Sequence, residues 1–156
     1  MNEVSNVVRW IGDVNVVIYE KIIEKIENLI SCDALVTLIV TSEGGYMPVA
    51  VDFCEEVRIR SFEFNTLAIG RVASAAIPIF LTGKKRLMSF NAHFLFHLPD
   101  LTDGDERKNF NMRQWYIEKI VKSCSLTEKK VVQLAEEEIL IDSEMAKDFG
   151  LVDEVI

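Results

Sequence analysis

The sequence predicts an α/β domain with parallel strand pairing and crossover helices. Three observations predict it. Short β-branched runs alternate with amphipathic helical stretches along the whole chain. Residues 34–40, ALVTLIV, are apolar on both faces, as a strand covered on both sides must be. The length, 156 residues, suits one core and is too short for two, and no repeat or linker marks a boundary.

Each element follows from local pattern. Residues 7–11 read as a strand ended by Gly12-Asp13. Over residues 16–30, Tyr19, Ile22, Ile23, Ile26, Leu29 and Ile30 recur at helical spacing with charges between them. After the strand at 34–40, Ser42-Glu43-Gly44-Gly45 breaks the pattern. A helix follows from about Pro48, a residue suited to a first helical position, to about Phe62. Residues 65–72 form a strand. Residues 73–81 form a helix that Pro78 kinks and Gly83 stops. Two short strands, 86–90 and 93–97, flank Asn91, and a polar loop covers 101–106. A long helix spans 107–124, with Phe110, Trp115 and Ile117 among its apolar residues. Ser125 and Glu128 then make an S-x-x-E capping box for a helix reaching about Glu138. A short helix at 143–149, the stop at Gly150 and an edge strand at 152–156 complete the order.

Composition excludes several classes. The formal net charge of -8 disfavours binding driven by phosphate neutralisation, so neither nucleic acid nor a membrane surface is expected as a partner. No apolar run approaches the ~20 residues that span a bilayer, and no secretory signal is visible, so the cytoplasm is the expected compartment. Cys32, Cys54 and Cys124 form no CxxC pair and read as free thiols. No metal and no cofactor is expected. Gly83-Lys84-Lys85 resembles the tail of a P-loop, but that motif needs Ser or Thr at Lys85 and Gly at Pro78.

Three places can carry chemistry. Gly44-Gly45, directly after a buried strand, lets backbone N–H groups face a ligand, although an ordinary strand-to-helix turn uses the same residues. Ser74 sits where a strand passes into a helix, beside free N–H groups that can hold an oxyanion; a plain N-cap serine reads identically. His93 and His97, four apart on one strand, share a face, and no Cys, Asp or Glu accompanies them at metal-ligand spacing.

Thr41-Ser42-Glu43-Gly44-Gly45, Gly70-Arg71-Val72-Ala73-Ser74-Ala75, Phe96-His97-Leu98-Pro99 and Asp148-Phe149-Gly150-Leu151-Val152-Asp153 occur in that order. Together they resemble the signatures of the Clp protease proteolytic subunit, ClpP, over almost the whole chain. The resemblance implies the ClpP/crotonase spiral of ββα units. It implies a serine endopeptidase of short or unfolded polypeptides, with Ser74 as nucleophile and His97 as base. It assigns the oxyanion hole to the N–H groups of Gly45 and Ala75, with Gly44 in substrate binding and His93 in structure. Counting back from Gly150 puts the triad acid at Glu138, where the family has aspartate, and Asp142 is the rival. The sequence departs from the family at Glu43, at Ala75-Ala76-Ile77 and at Leu98. The implied partners are a homo-oligomeric ring, with Phe110, Trp115 and Ile117 of the long helix as apolar candidates for its subunit contact, and an AAA+ ATPase unfoldase. Two alternatives stand beside this reading: a catalytically impaired ring subunit, and a crotonase-type acyl-CoA enzyme.

Overall fold

The computed structural model describes residues 6–99 and 106–156, with side chains from residue 111 in the second segment. The loop expected at 101–106 and the side chain of Phe110 fall outside that description. Along the chain the elements are β1 (Asn6–Ile11), α1 (Val16–Ile30), β2 (Val36–Ser42), α2 (Met47–Ile59), β3 (Asn65–Ala73) and α3 (Ala76–Phe80). They continue with β4 (Arg86–Met88), β5 (His93–Leu95), α4 (Glu106–Ser123), α5 (Glu128–Glu136), α6 (Ser143–Asp148) and β6 (Glu154–Val155). All named strand pairs are parallel, in the order β1-β2-β3-β4-β6, with β5 also on β3. Every expected strand and helix exists, and ends differ by a few residues.

The sheet's centre explains the local sequence. Val36, Leu38 and Val40 are fully buried, and so are Trp10 on β1 and Phe53 on α2. Trp10 and Phe53 meet edge to face at 5.4 Å, and Phe64 and Tyr19 add further edge contacts to the Phe53 ring. Asn15 caps α1 by accepting from the Ile18 N–H at 2.9 Å. Helices α1 and α2 are clasped at the surface. The Tyr19 hydroxyl donates to Glu56, and Arg60 pairs with Glu56 at 2.9 Å and with Glu27.

β3 does not run straight. Val40 pairs with Ala68 but Ser42 pairs with Val72, so β3 holds two extra residues there. Gly70, at φ 69°, supplies the left-handed conformation the bulge needs. Before the bulge, Thr66–Ala68 pair with β4; beyond it, Arg71–Ala73 pair with β5.

Four expectations need correction. Helix α3 begins at Ala76, not 73, because β3 continues through Ala73 and Ser74 turns the chain at φ 49°. Pro78 is then the third helical residue, where no intrahelical N–H bond exists to lose, so it has no reason to kink α3. The Ser125–Glu128 capping box does not form. Thr127 caps α5 by accepting from Lys130 N–H, and the Ser125 hydroxyl donates to the Phe149 carbonyl at 2.8 Å. On α4, Ile117 is buried in the core and Trp115 packs half-buried against it, so Ile117 offers nothing to a neighbouring subunit.

Two outcomes follow. Phe53→Ala should lower unfolding free energy by about 3–5 kcal/mol, read as a shift in urea midpoint at unchanged slope. The Glu56 carboxyl is held below its ordinary range, first by the Tyr19 hydroxyl and then by Arg60. A depressed carboxylate stabilises above its unfolded pKa and loses that contribution as pH falls through its folded value. The stability gap between wild type and Glu56→Gln should therefore close as pH drops below about 4, in urea titrations across pH.

Candidate functional site

The bulge in β3 decides where Ser74 lies. Its N–H donates to the Leu95 carbonyl at 3.1 Å, continuing the β3–β5 ladder by one step past Ala73. Ser74 then takes a left-handed backbone, φ 49°, at the strand-to-helix turn. That conformation is costly for a residue with a Cβ, and it turns the side chain out of the ladder into a half-exposed position. Helix α3 has only five residues. Its dipole is correspondingly small, and individual N–H groups matter more than the helix as a whole.

Those N–H groups are present. Gly44 is buried against the serine: a Cβ on it would lie 2.7 Å from the Ser74 Cβ and 3.1 Å from the Ala75 nitrogen. The turn is fixed from below, where Val14 donates to the Gly44 carbonyl at 2.9 Å and accepts from Tyr46 N–H at 2.8 Å. This parallel bridge uses both polar groups of Val14 and leaves the Gly45 N–H outside it. The N–H groups of Gly45 and Ala75 make no hydrogen bond to a described residue. Gly45 is exposed, its φ is 151°, and a Cβ there would strike the Val14 carbonyl oxygen at 2.5 Å. Glycine is thus required at both positions, by close approach and by backbone conformation together.

Histidine comes from the neighbouring strand. β5 ends at Leu95, and the exposed His97 lies two residues beyond it, next to the end of β3 that carries Ser74. His93 pairs with Arg71, three residues before Ser74, which is roughly 10 Å back along the sheet. The alternation of burial persists past the strand, with Phe94 and Phe96 inside. His93 and His97 thus share a face, but at different depths along it.

The carboxylate arrives from the C-terminal third. Phe94 and Ile141 exchange two backbone hydrogen bonds of 2.9 Å in an antiparallel bridge. Glu138 stands three residues before Ile141, and His97 stands three residues after Phe94. Counted out from this bridge, Glu138 lies on the His97 side and Asp142 on the His93 side. Asp142 is otherwise engaged, capping α6 by accepting from Met145 N–H at 2.9 Å. His97 and Glu138 line one open cleft of about 420 Å³ with Leu98, Pro99, Arg113, Ala135 and Glu136. Glu138 follows the cap of α5 at φ 50°. The Ile139 N–H returns to Leu134 and the Glu138 N–H to Ala135, a Schellman closure that ordinarily carries glycine. The Ser74 hydroxyl, the His97 ring and the Glu138 carboxylate make no hydrogen bond to one another here.

Two further residues escaped the sequence reading. Arg113 reaches the cleft from α4 and faces Glu136 at 3.8 Å. Tyr116, one turn later, is fully buried. Arginine and tyrosine on a long amphipathic helix carry no positional signal, since surface and core use them in the same spacing. Among the described residues, no group of three or more His, Cys, Asp or Glu is arranged to hold a metal ion. No described helix is long and apolar enough to cross a membrane.

Comparison with solved structures defines the class of fold. A ClpP1 mutant from Listeria monocytogenes superposes with a TM-score of 0.87 at 21% identity, covering 97% of this chain and 91% of that one. The ClpP protease catalytic domain from Plasmodium falciparum gives 0.85 at 18% identity, covering 97% and 84%. The architecture is therefore that of ClpP. Residues 4–156 match the family model described as Clp protease, and the chain belongs to that family. Among curated relatives, the "ATP-dependent Clp protease proteolytic subunit 1" of Bifidobacterium longum is 27% identical over 132 residues, 78% of this chain and 57% of that protein. The protein of the same name from Tropheryma whipplei is 23% identical over 133 residues, 78% and 64%. The matched stretch thus spans about three fifths of these relatives' length.

The strain at two of these positions is measurable. Glu138→Gly and Ser74→Gly should each raise unfolding free energy by about 0.5–1 kcal/mol, since removing the left-handed Cβ penalty outweighs glycine's extra chain entropy. Equilibrium urea unfolding of each variant beside wild type reads it. A fall in stability in both would mean that neither side chain is held against its backbone preference.

Proposed function

We propose that this chain is a serine endopeptidase subunit acting on short or unfolded polypeptides. The observation that carries the proposal is the pair of unengaged N–H groups, Gly45 and Ala75, flanking a serine held in a strained turn. Ser74 Oγ attacks the scissile carbonyl carbon while one ring nitrogen of His97 takes its proton. The carbonyl oxygen becomes an oxyanion held by Gly45 and Ala75, and each such donor is worth about 3 kcal/mol in the transition state. Glu138 accepts from the other ring nitrogen and stabilises the imidazolium. Collapse of the tetrahedral adduct breaks the C–N bond, and His97 returns the proton to the leaving amine. Water, activated by the same histidine, then hydrolyses the acyl-enzyme. Gly44 leaves room for the substrate backbone against the turn.

The same reading makes the chain one member of a homo-oligomeric ring in the cytoplasm. An AAA+ ATPase would supply unfolded substrate, because this chain has no P-loop of its own. A second reading is a ring subunit without turnover. It is favoured by the lack of hydrogen bonds between Ser74, His97 and Glu138, and by glutamate where the family has aspartate.

A fluorophosphonate separates the two. Wild type should be labelled and Ser74→Ala should not. His97→Ala should slow labelling about 10²–10⁴-fold, whereas His93→Ala should change it little. Equal loss in both histidine variants would sink the choice of base, and an unlabelled wild type would favour the inactive subunit. Glu138→Gln should stay folded and turn over a fluorogenic peptide poorly, with Asp142→Asn costing mainly melting temperature. The reverse pattern would reassign the acid.

A further inference from the structure

Tyr116 on α4 is fully buried, and its hydroxyl makes no hydrogen bond to any described residue. Burial raises its pKa above the ordinary tyrosine value, and the main-chain N–H of His97 acts in the opposite direction. That amide is therefore close enough to act on the phenol oxygen, though it closes no hydrogen bond of regular geometry with it. The His97 N–H in turn donates to no described residue. Among the described residues, an acceptor without a donor thus lies beside a donor without an acceptor. A buried hydroxyl left in this state is rare in folded proteins, because it retains the cost of losing water. The two groups are complementary, and a small shift of the segment after β5 would join them.

The position makes the pairing consequential. His97 lies past the last ladder bond of β5, so strand pairing does not fix its backbone. Pro99, two residues on, has no N–H to contribute. Arg113, one helical turn before Tyr116, lines the mouth of the cleft that His97 also lines. Helix α4 therefore meets this segment at two depths, with a charge at the surface and a hydroxyl beneath.

We infer that Tyr116 is a positioning residue for His97: its phenol oxygen accepts the His97 main-chain N–H and fixes the backbone from which the imidazole reaches Ser74. The inference rests on the proposed role of His97 as base. It assigns Tyr116 no contact with substrate. The hydroxyl acts only through the histidine, so its loss lowers turnover and spares substrate binding.

Tyr116→Phe, made in the full chain, removes the oxygen and keeps the ring. It should lower kcat on a short fluorogenic peptide about tenfold, the worth of one hydrogen bond, with KM within about twofold and no fall in melting temperature. Amide hydrogen exchange at His97, read by NMR, should be about tenfold faster in the variant than in wild type. Tyr116→Leu, which also removes the ring, controls for packing. Equal His97 exchange in wild type and Tyr116→Phe would overturn the inference, whatever happens to kcat. So would a Phe variant with normal kcat beside a Leu variant without activity, since Tyr116 would then serve packing alone. If wild type proves inert to peptide and fluorophosphonate, the peptidase reading fails, and the exchange comparison still decides whether Tyr116 holds the His97 backbone.

Discussion

The site depends on the bulge in β3. A regular strand pairs with one neighbour on each side along its length. Here Gly70 and the two extra residues bend β3, so its first half meets β4 and its second half meets β5. The same bend carries the chain to Ser74 with β5 already beside it, which brings His97 to the adjacent strand end. A straight β3 would keep β4 as partner throughout and would leave β5 without an edge to join.

Around that bend the backbone is held by close contacts more than by side-chain chemistry. Gly44 fits against Ser74 only because it lacks a Cβ, and Gly45 clears Val14 for the same reason. Ser74 and Glu138 take the opposite course and keep side chains in conformations that glycine would adopt freely. Asp33 and Ser61 do the same where α1 and α2 end, away from the site, so among the four the strand-to-helix turn at Ser74 is the one not made by a helix end. In the core, Phe80 of α3 and Phe94 of β5 pack with their rings 4.9 Å apart.

Much of this was legible in the sequence, and unevenly so. The order of strands and helices followed from periodicity, because β-branched runs and amphipathic stretches report burial directly. Ser74, His97 and the paired glycines became candidates through the motif resemblance, and Glu138 through its distance from Gly150. What pattern could not supply was any contact that depends on pairing between distant segments. The bulge at Gly70 shows only in the register of β2 on β3. The Phe94–Ile141 bridge, which puts Glu138 on the His97 side and Asp142 on the His93 side, joins residues far apart in the chain. The cap of α5 failed for a local reason: Ser125 and Thr127 are both competent caps, and the carbonyl that claims Ser125 belongs to Phe149. Tyr116 read as core, and its ring is core; only its oxygen is anomalous.

The Phe94–Ile141 bridge also sets how the molecule comes apart. It consists of two hydrogen bonds, whereas β1 and β2 pair over six residues. Opening the segment around Ile141 is thus a smaller event than melting the sheet, and such units open below the global free energy. When it opens, Glu138 leaves the cleft while Ser74, His97 and the N–H groups of Gly45 and Ala75 stay with the sheet. Under the proposed peptidase reading, loss of activity on heating would belong to the C-terminal segment and unfolding to the sheet, as two separate cooperative units.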